Sequence, residues 1–382
     1  MRWILIAGLC AGAAISSPGF AADYRPVTCA AAAPYVGPPV HAPLPDAVFA
    51  VPTVPTTLSA DTAAKLDAAF AKARAATGAP AMTAAVSLAG GGNWTRTEAT
   101  APSPAPLFYW ASTGKAFTAV VVLQLVEEGK LSLDDPLSRW RPDMPNAKAI
   151  TIRHLLNHTS GLFSGNEDLR LRKQGGPVTP EQDFKVSASH GAMFCPGERW
   201  RYSNTGYGLL GRIIEQVDGV PYDVAVRRRI VNRLGLKDLR ALAPGEVPAD
   251  VAPLAPSDPT QKPMILANAY AAGGIIGRPE AMNAFWRGLL TGELLKPETM
   301  RGQFATLYPM FDPGTFYGLG VMVFDIPDGD RRILWLGHAG GTPGAGAVAF
   351  YAPDRKAFVS VALTGDGSAV ATANLLLKAL RD

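Results

Sequence analysis

The tetrad Ser112-Thr113-Gly114-Lys115 opens a long apolar stretch that runs from Ala116 to Val126. If this stretch is a helix, residues three positions apart share a face, so the Lys115 amine lies beside the Ser112 hydroxyl. A desolvated lysine has a lowered pKa and can help to remove the proton that keeps serine a poor nucleophile. The tetrad therefore indicates acyl transfer through a serine ester. The alternative is that Ser112 caps the helix and Lys115 is a solvated first-turn residue.

Length and composition indicate a globular protein with a sizeable core. The chain has 382 residues, of which 48% are hydrophobic and 18% are charged. This suffices for one large domain or two ordinary domains and argues against disorder. The formal net charge is +4, and the short run Arg227-Arg228-Arg229 resembles a solvated helix face. No basic stripe is present, so we expect no nucleic-acid partner.

The N-terminus has the pattern of an export signal over residues 1–21. Arg2 supplies the positive start, Ile4 to Ile15 the apolar run, and Gly19-Phe20-Ala21 the small residues at the cleavage site. Cleavage is expected after Ala21. The apolar run is too short to span a bilayer, and no other segment is suited to do so. We therefore expect a soluble protein exported to the periplasm or the medium.

Removal of this signal leaves two cysteines, Cys29 and Cys195. An oxidising compartment would permit a disulfide between them, which would fix the N-terminal extension beside the Cys195-Pro196-Gly197 turn. The alternative is a pair of buried free thiols.

The order of predicted elements indicates an α+β fold. Residues 22–56 form an Ala/Pro-rich extension without helical or strand periodicity, and residues 57–382 form the main domain. Strands are predicted at both ends of this domain, over Met82–Leu88, Trp94–Thr97, Leu319–Phe324, Arg332–Leu336, Ala347–Tyr351 and Ala357–Leu363. Helices are predicted over Leu58–Thr77, Ile152–His158, Thr205–Val217, Pro221–Leu234, Met282–Leu290 and Val370–Leu380.

Terminal strands can complete one antiparallel sheet that the terminal helices cover. The prediction is a sheet lobe of residues 57–110 and 300–382 and a helical lobe of residues 111–299. The substrate site is expected in the cleft between them.

Further motifs follow the tetrad along the chain. They are His158-Thr159-Ser160-Gly161-Leu162, Pro196-Gly197 followed by Tyr202-Ser203-Asn204, Tyr317-Gly318-Leu319-Gly320, and His338-Ala339-Gly340-Gly341. In this order the motifs resemble the serine β-lactamase and penicillin-binding-protein superfamily, on the branch of class C β-lactamases, D-alanyl-D-alanine carboxypeptidases and family VIII esterases. The resemblance runs from about Leu107 to the end of the chain, and it implies the β-lactamase-like fold.

The resemblance also implies roles for individual residues. Ser112 would be the nucleophile, and Lys115 and Tyr202 would share the task of general base. Asn204 would orient the substrate and hydrogen-bond Lys115. The backbone N–H groups of Ser112 and Gly341 would form the oxyanion hole. Gly340 would help to bind or orient the substrate, since glycines beside a strand let backbone amides approach a ligand without obstruction by a Cβ atom. Alternatives are that Tyr202 is a core tyrosine, that Asn204 is a helix N-cap, and that the glycines form an ordinary turn.

His338 departs from the lysine that many relatives of this superfamily carry there. A lysine would offer a fixed positive charge to a substrate carboxylate, whereas histidine is largely uncharged at neutral pH. The expectation is that His338 binds or orients substrate, with a hydrogen-bonded strand residue as the alternative.

Metal ligation offers a second explanation for His154 and His158, which are four residues apart. The glutamate of a His-Glu-x-x-His motif is absent, because Leu155 stands there, so a structural role is favoured. No metal or other cofactor is expected. Trp110, Trp200 and Trp335 lie close to the motifs and could line the cleft, although core positions are favoured for each.

Two functional hypotheses remain from the sequence. The first is an exported serine hydrolase that forms an acyl-enzyme on a D-alanyl-D-alanine-type peptide, a short-chain ester or a β-lactam. The second is a binding or sensor protein of the same fold that is acylated but does not turn over. The sequence leaves the oligomeric state open.

Overall fold

An eight-stranded antiparallel sheet combines two strands from residues 81–99 with six strands from residues 308–364. The computed structural model describes residues 24–53, 56–100, 106–174, 176–258, 260, 264–328 and 331–380, so the predicted signal segment lies outside the described residues. The sheet has the strand order β2-β1-β11-β10-β9-β8-β7-β6. Its strands are β1 (Ala81–Leu88), β2 (Asn93–Ala99), β6 (Tyr308–Pro309), β7 (Thr315–Tyr317), β8 (Met322–Asp328), β9 (Arg331–Thr342), β10 (Ala345–Ala352) and β11 (Ala357–Thr364). A smaller sheet has the order β3-β5-β4, with β3 at Phe108–Tyr109, β4 at Leu239–Ala241 and β5 at Ile275–Gly277.

Helices cover both faces of the large sheet, and most of them lie in the part of the sequence between β2 and β6. They are α1 (Ala60–Thr77), α2 (Gly114–Glu127), α3 (Ile152–Leu156), α4 (Leu169–Gln174), α5 (Pro180–His190), α6 (Asn204–Asp218), α7 (Tyr222–Val226), α8 (Pro279–Leu290), α9 (Pro297–Gly302) and α10 (Ala369–Ala379). Among the described helices, none combines the length and the apolar character that a membrane crossing requires.

Side chains that alternate in direction along the strands contribute to two hydrophobic clusters, one on each face of the sheet. In β10, Val348 and Phe350 belong to the cluster under α1 and α10, whereas Ala349 and Tyr351 belong to the cluster that contains α2 and α8. Successive strand residues point to opposite faces, so both faces of this strand are buried. The sheet is thus a central layer with helices on each side, which confirms the α+β prediction.

Local signals place several element ends. The Ser59 hydroxyl accepts from the Thr62 backbone N–H and starts α1, and Gly78, with φ of 61°, ends it in the left-handed conformation. The strands that were predicted next to one another in sequence pair as the antiparallel hairpins β1–β2, β8–β9 and β10–β11. Helices with clear caps and hairpins with clear turns therefore follow their sequence signals within a few residues.

Several features of the middle of the chain differ from the prediction, and the helices α4, α5 and α9 are among those that were not predicted. The small sheet was not predicted, because strands of two or three residues carry no usable alternation. The predicted helix Pro221–Leu234 consists of α7 followed by a π-helical turn over Arg227–Val231. Helix α8 falls within the predicted helical lobe but packs on the large sheet, where Asn283 donates to the Ser87 hydroxyl at 3.1 Å and accepts from Ser360 at 2.6 Å.

Candidate active site

Ser112 lies on a tight turn between a short strand and a buried helix. Strand β3 leads into a 3-10 turn over Ala111–Thr113, and α2 begins at Gly114. Ala111 has φ of 47°, a left-handed conformation that is uncommon outside glycine and is often found at functional sites. The Ser112 side chain stays half-buried while its neighbours on the turn are buried. The turn therefore presents this hydroxyl at the edge of the interior.

The Lys115 amine is buried and has three hydrogen-bond acceptors around it. It donates to Ser112 Oγ at 3.2 Å, to Asn204 Oδ1 at 2.7 Å and to the Ala272 carbonyl at 2.7 Å. Lys115 is 0% exposed, and this burial lowers its pKa well below the ordinary value. The alternative of a solvated first-turn lysine is therefore wrong, and the amine is held in contact with the Ser112 hydroxyl.

Tyr202 and Asn204 reach the site from the start of α6. The helix N-cap is Ser203, whose hydroxyl accepts from the Gly206 N–H, so the alternative of Asn204 as the N-cap is wrong. Asn204 instead accepts from Lys115, and its Nδ2 donates to Asn166 Oδ1 at 3.1 Å. The Tyr202 ring is half-buried, with its centroid 4.7 Å from Lys115 Nζ.

Strand β9 passes close beside the Ser112 turn. A Cβ atom on Gly340 would come within 2.6 Å of both the Ser112 backbone nitrogen and the Trp110 carbonyl oxygen. Only glycine lets the two backbones approach this closely. Gly341 follows on the same strand and is paired with Gly346 of β10. The structure thus brings Gly340, and the strand that carries Gly341, to the backbone of Ser112.

His338 occupies a different environment from the one expected of a substrate contact. Its side chain is 0% exposed, Nδ1 lies 2.6 Å from the Ala339 carbonyl, and Nε2 lies 3.1 Å from the Tyr317 hydroxyl. Burial, with a smaller contribution from the Lys115 charge, lowers the pKa of His338 to about 3. Both ring nitrogens are engaged inside the protein, so the geometry matches the alternative of a hydrogen-bonded strand residue.

A comparison with known proteins identifies the family of the chain. The profile of the Beta-lactamase family matches residues 66–381. The chain belongs to the Beta-lactamase family. It is 32% identical to the putative penicillin-binding protein PbpX of Bacillus subtilis (strain 168), over 58% of this chain and 54% of that protein. It is 34% identical to the esterase EstB of Burkholderia gladioli, over 35% of this chain and 38% of that protein. The alignments therefore span about half or less of these curated relatives.

Solved structures resemble this Beta-lactamase family member over most of its length. A D-stereospecific amidohydrolase from Streptomyces sp. has a TM-score of 0.71 and 29% identity, and the match covers 84% of this chain and 98% of that chain. A D-amino acid amidase from Ochrobactrum anthropi SV3 has a TM-score of 0.74 and 26% identity, with 83% and 98% covered. The β-lactamase-like fold expected from the motifs is thereby confirmed.

Several groups that hold the site together lie outside the motifs of the sequence. The Ala272 carbonyl reaches Lys115 from a 3-10 segment, Leu266–Ala272, that no motif marks. The Ser164 hydroxyl accepts from the Asn204 N–H at 2.9 Å, and Asn166 is bonded to the Asn204 amide. A backbone carbonyl carries no sequence signal, but the cluster of small polar residues after the His-Thr-Ser-Gly-Leu motif could have indicated the second group.

The two histidines considered as metal ligands have separate structural partners. His154 Nδ1 accepts from the Thr151 N–H at 3.1 Å, at the start of α3. His158 Nδ1 accepts from the Ser203 N–H at 3.2 Å. Among the described residues, no group of three or more His, Cys, Asp or Glu side chains could hold a metal ion.

The tryptophans near the motifs belong mainly to the interior. Trp110 and Trp335 are buried in hydrophobic clusters. Trp200 is partly buried, and its ring lies 5.5 Å from the half-exposed Phe311 ring and 6.4 Å from Tyr202. Trp200 is thus the tryptophan of the three that lies in an aromatic group beside Tyr202.

Proposed function

We propose that this protein is a serine hydrolase that acts through an acyl-enzyme on Ser112. The observation that carries the proposal is the buried Lys115 amine, which lies 3.2 Å from Ser112 Oγ and is held by the Asn204 amide oxygen and the Ala272 carbonyl. The lowered pKa favours the neutral amine, whose two N–H groups would stay on Asn204 and Ala272 while its lone pair accepts the proton of Ser112. The Beta-lactamase family membership and the hydrolases among the structural neighbours support the same chemistry.

The proposed reaction has two matching halves. Ser112 Oγ attacks the substrate carbonyl carbon, and its proton passes to the pair Lys115 and Tyr202. The carbonyl electrons move onto oxygen, where the N–H groups of Ser112 and Gly341 would stabilise the negative charge. The bond to the leaving group then breaks, and Tyr202 returns the proton to that group. Water repeats the sequence on the serine ester and releases the acid and free Ser112.

The environment of His338 favours small esters and amides over substrates whose carboxylate must be bound by a positively charged side chain. The side chain is buried, both ring nitrogens are occupied, and its pKa is lowered to about 3. It therefore offers no positive charge to the carboxylate of a β-lactam or a D-alanyl-D-alanine terminus. The esterase and the D-amino acid amidases among the similar proteins act, by their names, on substrates of the favoured kind.

Export is part of the proposal. It is supported by the N-terminal pattern of residues 1–21 and by the disulfide that joins Cys29 and Cys195, since structural disulfides persist mainly in oxidising compartments.

Intact-mass detection of an acyl adduct tests the mechanism. The protein is mixed with a short p-nitrophenyl ester, a D-amino acid amide, a D-alanyl-D-alanine peptide and a chromogenic cephalosporin in parallel. We expect an adduct that maps to Ser112, faster turnover of the ester or amide than of the other two, and no adduct in Ser112→Ala. An adduct on another residue, or turnover that survives in Ser112→Ala, would contradict the mechanism.

The same experiment separates the hydrolase from an acylated sensor. The names of penicillin-binding relatives favour the sensor as the second candidate. A sensor would accumulate a persistent Ser112 adduct with the cephalosporin and show no multiple turnover, whereas the hydrolase regenerates free enzyme.

Tyr202→Phe tests the shared base. Removal of the hydroxyl while the ring remains should lower the acylation rate by roughly 10²- to 10⁴-fold, the usual span for general acid–base catalysis. Stopped-flow measurement of p-nitrophenol release gives this rate directly. A near-normal rate would assign the whole task to Lys115.

A further inference from the structure

His158 contacts the Tyr202 segment in three ways. Its backbone carbonyl accepts from the Arg201 N–H at 2.9 Å, and its ring Nδ1 accepts from the Ser203 N–H at 3.2 Å. The two ring centroids of His158 and Tyr202 are 4.2 Å apart. The residues immediately before and after Tyr202 are thus both anchored on His158, and the ring between them packs on its imidazole.

The imidazole acts here as a neutral acceptor. A backbone N–H points at Nδ1, so Nδ1 must carry a lone pair and the hydrogen must be on Nε2. Nε2 is buried and finds no hydrogen-bond partner among the residues that the structure describes, and the residue is 1% exposed and lies among the rings of Tyr207 and Tyr317. An orphaned buried N–H costs free energy that an apolar residue would avoid. What the histidine supplies in return is the acceptor at Nδ1.

The backbone of His158 is also held in an uncommon conformation. Its φ is 63°, in the left-handed region, one residue beyond the C-cap Asn157 of α3. The Thr159 N–H donates to the His154 carbonyl at 3.0 Å, and the Gly197 N–H donates to the Thr159 carbonyl at 2.8 Å. The loop is therefore bonded on both sides, which fixes the direction of the imidazole.

We propose that His158 is a positioning residue that holds Tyr202 in place for proton transfer. This inference rests on the proposed function, in which Tyr202 exchanges protons with Ser112 and the leaving group. A displacement of about 1 Å in such a site can lower a rate by about 10²-fold. His158 contributes through the alignment of Tyr202 and touches no substrate.

Two amide substitutions separate this role from simple packing. In His158→Asn, the amide oxygen can take the place of Nδ1, whereas in His158→Gln it reaches the place of Nε2 and leaves the Ser203 N–H without an acceptor. We expect His158→Gln to lower the acylation rate by roughly 10- to 100-fold. His158→Asn should stay within about threefold of the wild type, although glutamine is closer to histidine in volume. Thermal unfolding of both variants sets an assay temperature at which each is folded.

A double-mutant cycle with Tyr202→Phe completes the test. If His158 acts through the Tyr202 hydroxyl, His158→Gln should change the rate little in the Tyr202→Phe background. The same fold-loss in both backgrounds, or equal losses in His158→Asn and His158→Gln, would overturn the inference. Failure of the proposed function is a distinct result, because the wild type would then form no adduct on Ser112.

Discussion

At the scale of single residues, burial disfavours the charged form of side chains near the candidate site, among them Lys115 and Asp183. Lys115 has a lowered pKa, and in the proposed reaction this makes its amine a proton acceptor. Asp183 has a pKa that burial raises to about 6, although the Thr205 hydroxyl donates to it at 2.6 Å. Thr205 follows Asn204, so this carboxyl supports the start of α6. The two shifts have the same cause, but Asp183 should affect stability rather than chemistry.

Asp183→Asn should change how stability depends on pH. The folded-state pKa, about 6, lies above the ordinary value of 3.8, so the native state binds the proton more tightly than the unfolded chain. The stabilising effect of the proton is present below about pH 4 and is lost as the pH rises through 6. Two pKa units correspond to about 3 kcal/mol. Relative to the wild type, the variant should therefore gain unfolding free energy between pH 4 and pH 7, measured by urea denaturation.

Asp168→Asn serves as the control of opposite sign. Hydrogen bonds from Arg170 and His190 hold the pKa of Asp168 well below its usual range. That carboxylate stabilises the protein at neutral pH, and its contribution is lost as the pH falls through its folded pKa. The asparagine variant should thus be less stable than the wild type at pH 7. Parallel pH curves for the wild type and Asp183→Asn would contradict the argument for Asp183.

At the scale of elements, the site depends on how closely β9 approaches the turn before α2. The potential Cβ contacts of Gly340 are with backbone atoms of Ser112 and Trp110, which cannot rotate away as a flexible side chain can. A side chain at this position must therefore separate the strand from the turn. The N–H groups of Ser112 and Gly341 would move apart with them.

Gly340→Ala should impair acylation much more than a similar substitution in the neighbouring strand. Each oxyanion-hole donor is worth about 3 kcal/mol, so loss of its alignment should lower the acylation rate by roughly 10²-fold. The matched control is Gly346→Ala in β10, where the nearest atom to the new Cβ is the Gly367 carbonyl oxygen at 3.3 Å. Burst kinetics with the ester measure both variants. Equal rates for the two variants would mean that the close approach of β9 does not matter for the reaction.

Elements and contacts could be predicted where the residues that determine them are close together in sequence or belong to a motif. Ser59 and Gly78 mark the ends of α1 locally. The contact of Ser112 with Lys115 could be predicted because a helix brings residues three apart onto one face. The contact of Lys115 with Asn204 could be predicted because their motifs resemble those of a known family. The direction of the His338 side chain is decided by Tyr317 and by the Ala339 carbonyl. The Ala272 carbonyl depends on a kink at Tyr270, where φ is 44° and ψ is −132°. Such tertiary contacts leave no periodic pattern in the sequence.

At the scale of the whole molecule, the N-terminal extension is attached to the segment that leads to Tyr202. The Val27 N–H donates to the Ala192 carbonyl at 2.9 Å, and the Ala33 N–H donates to the Pro196 carbonyl at 2.8 Å. Cys29 is bonded to Cys195 between these points, across 166 residues of sequence. The segment then continues through Trp200 to Tyr202, so the extension braces one side of the candidate site.

Removal of the disulfide should destabilise the protein more than it slows the reaction. In the chain-entropy description, a cross-link over 166 residues restricts the unfolded chain by about 5 kcal/mol, and the usual loss is about 2–5 kcal/mol. The double variant Cys29→Ser/Cys195→Ser should lose that much unfolding free energy in urea, while its acylation rate at 25 °C stays within about tenfold, since the backbone bonds of Val27 and Ala33 remain. Reductant should destabilise the wild type and leave the double variant unchanged. A double variant within about 1 kcal/mol of the wild type would show that the extension is held by its backbone bonds alone.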